Sequence, residues 1–174
     1  MTYSVAIMAP IAALIGILVA MYLARWVLRQ DPGNEKMNGI SEKIQQGAQA
    51  FLMSEYKVLA VFMVIVFVVM GVFLSWITAL AFLTGGILSA AAGYVGMYVA
   101  TRANTRTTHA AEDSVAKALK ISFRSGLTMG LCVASFALMG LSLWLILLVF
   151  GVDTLELMKT HVGMVEGFAT GASS

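Results

Sequence analysis

Charge is scarce in this chain. Asp, Glu, Lys and Arg make up 11% of its 174 residues, against 60% for apolar types, and mean hydropathy is +0.89. A soluble domain carries roughly 25% charged residues, so this composition has too little polar surface to cover a core in water. The chain reads as an integral membrane protein. Its net charge of +2 is too small to point to nucleic acid, and no nucleic-acid partner is expected. Cysteine is nearly missing: Cys132 stands alone in an apolar run, which excludes an intrachain disulfide framework and reads as a buried, unreactive thiol. No positive residue precedes the first apolar run, and that run ends in Arg25 and Arg29 rather than at a cleavage site, which excludes a signal peptide. Paired carboxylates inside a span, a glycine-rich phosphate loop and any His/Cys/Asp grouping at metal-ligand spacing are also lacking. No catalytic, cofactor-binding or metal-ligating set is therefore expected within the chain.

Long apolar runs are what the chain has instead. A helix needs about 20 apolar residues to cross the hydrocarbon core, and residues 4–24, 58–77, 79–101 and 127–150 meet this. A fifth run opens near residue 161 and stops with the chain at Ser174, too short to cross. The expected fold is all-α: a polytopic membrane helix bundle over 1–174, with four complete transmembrane helices and the start of a fifth. Arg25, Arg29, Lys36, Lys43 and Lys57 lie between the first two runs, and Arg102, Arg106, Lys117, Lys120 and Arg124 between the third and fourth. Only Lys159, beside Asp153, Glu156 and Glu166, falls on the other side. Basic residues collect on the cytoplasmic face, so connections 25–57 and 102–126 are expected there and the amino terminus outside.

The connections are helical in pattern too. Asp31-Pro32-Gly33-Asn34 breaks the chain, with Asn34 as a helix cap. Beyond it Ile40, Ile44, Phe51 and Leu52 recur at helical spacing among polar residues, with no breaker before Val58. One long helix is expected, its apolar stripe packed on a neighbour; a surface-lying amphipathic helix is the alternative. Trp76 to Thr78 should turn tightly between the second and third spans. The stretch 112–124 should form a helix running into the fourth span, with Glu112 and Asp113 at its amino terminus and Asp113 reaching Lys117.

Small residues recur every fourth position: Ser89 and Gly93; Ala92, Gly96 and Ala100; Gly126, Gly130 and Ala134; Gly163, Gly167 and Gly171. Such ladders let helix backbones approach, so tight packing of the last three spans is expected, with Gly93 and Gly130 intolerant of bulk. The second span is apolar all round and should face lipid. His109 and His161 are isolated and read as solvated or interfacial. Glu55 and Lys57 read as a snorkelling pair, and Glu166 as an acid near the external end. The segment 102–108, with Arg102, Arg106 and three threonines, suits either a phosphate ligand or anionic headgroups. The residues alone thus leave open a small stand-alone membrane protein acting as an assembly or lipid-binding module.

Three motifs, in order, resemble the membrane-bound ion-translocating inorganic pyrophosphatases. They are GAQAFLMSEYK, from Gly47 through Phe51, Glu55 and Tyr56 to Lys57; Gly93-Tyr-Val-Gly96-Met-Tyr98 followed by Arg102-Ala-Asn104-Thr-Arg106-Thr; and Gly167 to Ser174, containing Gly171. The segment Phe123 to Gly130, with Gly126 and Gly130, adds to them. Val commonly stands in that family where this chain has Thr105. The resemblance implies a homodimeric pump of about sixteen helices per subunit. It would couple pyrophosphate hydrolysis to outward movement of protons or sodium, with magnesium as cofactor and potassium as a further candidate, in a prokaryotic cell membrane. It implies further that the chain is the amino-terminal, outer-ring scaffold of such a pump. Its partners would then be the pump's remaining helices and membrane lipids, and by itself it would be inactive.

Overall fold

The computed structural model describes residues 2–151 and 157–173, with side chains described for 7–147 and 163–173. The expectations for Asp153 and Glu156, and for the side chains of Lys159 and His161, lie outside the described residues. Among the described residues the chain forms five helices and no strand: α1 (Thr2–Leu28), α2 (Glu35–Phe73), α3 (Trp76–Asp113), α4 (Val115–Gly151) and α5 (Leu157–Ala172). The first four are long and apolar enough to cross a membrane, and α5 has 16 residues.

The breaks between the first four helices are short and chemically explicit. After α1, Gly33 takes a φ of 86°, left-handed territory that glycine enters without cost, while its N–H donates to Asp31 Oδ1 at 2.8 Å. Asn34 then caps α2 as expected, its Oδ1 accepting from Met37 N at 2.9 Å. Nothing interrupts α2 for 39 residues. It stops at Phe73, short of the expected 77, because Ser75 Oγ accepts from Thr78 N and caps α3. Trp76 opens α3 and packs on Phe67, ring centroids 5.9 Å apart. It also lies over Gly71, where a Cβ would come within 2.7 Å of the indole.

A single residue, Ser114, separates α3 from α4. Its N–H donates to Ala110 O, closing α3, and its Oγ and carbonyl accept from Lys117 N and Ala118 N, opening α4. Glu112 and Asp113 therefore end α3 rather than begin a new helix, a correction to the sequence expectation. The cause is that Ser114 supplies the cap. The Asp113–Lys117 pair does form, at 2.8 Å.

The chain divides into two compact units: residues 1–15, 56–91 and 134–174, and residues 16–55 and 92–133. In the first, α5 lies against the start of α3 around Ala81, Met164 and Phe168. Backbones meet here: a Cβ on Gly167 would stand 2.5 Å from Thr78 O, and one on Gly171 3.0 Å from Gly86 N and against the Phe82 carbonyl. Trp144 Nε1 donates to Thr84 Oγ1 at 2.8 Å, so the indole adds a directed bond to this packing. On α2, Val61, Val64, Val68 and Val72 are exposed, as a lipid-facing helix would leave them.

In the second unit Val27, Val99, Ala103 and Ile121 form the core, and α4 doubles back on α3 with Met129 over Gly96. Two expectations are overturned. Ile40, Ile44 and Phe51 are exposed rather than packed; the inward positions of α2 go to Ser41, which is buried, and Gln45, bonded to it at 2.9 Å. Gly126 and Gly130 likewise meet nothing within 4 Å of a Cβ. Their ladder is not a contact face within the described residues, so bulk at Gly130 is accommodated in this chain.

Candidate basic site

Nine of the eleven Lys and Arg residues belong to the second unit. The most constrained is Arg106. The last carbonyls of a helix have no partner within it, and α1 ends one such row. Arg106 reaches there from α3: Nε donates to Gln30 O at 3.1 Å and an η-nitrogen to Leu28 O at 3.0 Å. Its other η-nitrogen donates to Arg102 O at 2.6 Å. A cation at a helix carboxyl end also meets the favourable end of the dipole. Burial lowers the Arg106 pKa from the ordinary arginine value, neighbouring Arg102 lowers it further, and Asp31 opposes them.

The neighbouring cations rest on aromatic faces. Arg102 lies 3.6 Å from the Tyr98 centroid and donates to the Tyr98 carbonyl. Tyr98 stacks in turn on Tyr94 at 6.3 Å. On the α1 side, Trp26 carries Arg124 at 3.9 Å and Lys120 at 5.8 Å. His109 bridges Glu112, at 3.1 Å, and Asp31, at 3.8 Å, and so ties the α1–α2 connection to α3. Fully exposed Asp113 is held below the usual carboxylate range by its hydrogen bond to Lys117 and then by that ammonium's charge.

The motif residues named from sequence divide into three kinds. Gly96, Gly171, Tyr56 and Arg106 make tertiary contacts, Tyr56 by donating to Ala90 O at 2.6 Å. Arg102 is half-buried on its own helix, and Gly93 is half-buried. Gly47, Phe51, Glu55, Asn104, Gly126 and Gly130 are exposed. Trp26 and Tyr98 were not singled out as cation platforms, although the Tyr98–Arg102 spacing of four places the pair on one helix face. Among the described residues no three His, Cys, Asp or Glu side chains group to hold a metal ion.

Thr105 is the exception in this otherwise paired region. It is 7% exposed, and its Oγ1 has no hydrogen-bond partner among the described residues. A buried hydroxyl without a partner costs about 1–3 kcal/mol. Thr105→Val keeps the shape and removes the hydroxyl, so it should stabilise the chain by about 1 kcal/mol. Equilibrium unfolding in bicelles checks this; a loss of stability would mean that the hydroxyl is bonded.

Four apolar helices with basic residues gathered in one unit define a polytopic α-helical membrane protein. The family model described as inorganic H+ pyrophosphatase matches residues 14–174, and the chain belongs to that family. It is 47% identical over 146 residues to a K(+)-insensitive pyrophosphate-energized proton pump of Pyrobaculum aerophilum, covering 80% of this chain and 20% of that one. A pump described in the same words from Methanosarcina mazei is 39% identical over 167 residues, covering 95% of this chain and 23% of that one. A K(+)-stimulated pyrophosphate-energized sodium pump of Thermotoga maritima is 38% identical over 179 residues, covering 94% and 24%. The chain thus spans about a fifth of the length of the curated relatives it matches.

Proposed function

We propose that this chain is the amino-terminal, outer-ring scaffold of a membrane pump that couples pyrophosphate hydrolysis to outward translocation of protons or sodium. The observation that carries the reading is the family match over residues 14–174, joined to relatives whose names state pyrophosphate-energized pumping. The local geometry supports a scaffold role: Arg106 is engaged with helix carbonyls, and Arg102, Lys120 and Arg124 with aromatic rings. The described carboxylates do not form a magnesium ligand set. We assign magnesium, any potassium response and the ion path to the part of the pump that this chain does not span, as the family resemblance implies. The remaining helices and a second copy of the pump are the proposed partners.

In this reading the second unit's basic residues mark the cytoplasmic side of a prokaryotic cell membrane, connections 25–57 and 102–126 face inward, and the amino terminus is outside. Two measurements test it. Vesicles carrying the full-length pump should take up cations on addition of pyrophosphate, and vesicles carrying this chain alone should neither take up ions nor hydrolyse pyrophosphate. Hydrolysis by the chain alone would sink the scaffold reading. With Cys132 replaced by Ala, single cysteines at Lys43 and Lys117 should react with an impermeant maleimide from the same face. Labelling from opposite faces would overturn the topology.

A further inference from the structure

A groove of 270 Å³ lies in the second unit between α2 and α3, and its lining changes character along its length. The two helices are joined by a two-residue turn and run antiparallel. Glu42, Gln46 and Gln49 on α2 and Arg102 on α3 form its polar part, and Leu52 and Tyr94 its apolar part. On α3 that polarity follows the chain's own change from apolar span to basic connection near Thr101, and on α2 Leu52 lies nearer the apolar span than Glu42 does. An amphiphile at a bilayer surface has the same gradient.

The chemistry of the polar part narrows the occupant. Among the lining residues Arg102 is the basic member and Glu42 the acidic one, one charge of each sign. Arg102 lies over the Tyr98 ring with one η-nitrogen on the Tyr98 carbonyl, which restrains its guanidinium and leaves its other N–H donors for a phosphate. Glutamine amides supply further donors, and Glu42 supplies an anionic acceptor. A trimethylammonium prefers an aromatic cage. The Tyr98 face is already occupied by Arg102 and the ring stacks on Tyr94, so a primary ammonium bonded to Glu42 fits better. The volume lies below the roughly 300–1,000 Å³ of drug-sized sites, as suits a headgroup.

We propose that this groove binds the headgroup of a phospholipid whose phosphate diester carries a primary ammonium, as in phosphatidylethanolamine, with phosphate on Arg102 and ammonium on Glu42. The proposal does not depend on pumping.

Native mass spectrometry of the full chain in detergent, titrated with dioleoyl lipids, tests it. Phosphatidylethanolamine should bind about tenfold more tightly than phosphatidylcholine. E42Q should abolish that preference while sparing phosphatidylglycerol, and R102Q should weaken all three about tenfold. The Arg102 hydrogen bond in hand goes to its own helix, so R102Q should keep its helicity; if it does not, the pair Q46A and Q49A should reduce binding several-fold instead. Equal binding of the three lipids, unchanged by these variants, overturns the proposal. Competition by glycerophosphoethanolamine at lipid-like concentrations would transfer the site from a lipid to a soluble phosphate ester and overturn the membrane assignment; no competition is the expected result.

Discussion

Gly171→Leu should detach α5 from α3 and cost this chain about 3 kcal/mol, the upper part of the usual range for overpacking. Side chains can turn aside to admit a methyl group, but here the obstacles are the Phe82 carbonyl and Gly86 N, both in the main chain of α3. Phe82 is fully buried, so the helix cannot yield without moving its own side chain out of the packed region. Gly130→Leu provides the contrast, since no atom lies within 4 Å of its Cβ position, and it should be silent in this chain. Steric-trap unfolding in bicelles reads both. Equal losses for the two variants would refute the packing described. In the full-length pump Gly130→Leu should become costly, because a small-residue face left open here suits helices from the remaining length.

Arg106→Met should destabilise the chain by about 2 kcal/mol and expose the end of α1 to hydrogen exchange. Each charge-assisted hydrogen bond contributes about 1.5–3 kcal/mol, discounted because Arg106 is only half-buried. Arg106→Lys should recover less than half of the loss. A single ammonium cannot reproduce a fork spread over the carbonyls of Leu28 and Gln30. Although burial lowers its pKa, an arginine stays charged throughout the physiological range. The stabilisation should therefore be flat with pH between about 6 and 9, since the guanidinium does not deprotonate there. Exchange at α1 unchanged in Arg106→Met would show that water satisfies those carbonyls equally well.

The helices were legible because their signals are local. Apolar runs of spanning length, the Asn34 cap and the absence of a breaker through α2 can each be read within a few residues. The direction a helix faces was less legible. Ile40, Ile44 and Phe51 have the spacing of a packed stripe yet point outward, since the inward positions hold Ser41 and Gln45. Gly126 and Gly130 carry the same four-residue signal as Gly167 and Gly171, but only the second pair meets another backbone. Spacing records a capacity for close approach without naming the neighbour. In the basic site, the Tyr98–Arg102 stack is a short-range pattern, whereas the Arg106 bond to Gln30 spans 76 positions and has no local trace.

Ser114 constrains the length of the chain as well as its shape. With one residue closing one helix and opening the next, there is no slack in which an added or lost amino acid can be absorbed. A single insertion there would turn α4 by about 100° about its axis, swinging Ile121 away from Val99 and Ala103. Length variation among relatives of this chain should accordingly spare the join at Ser114.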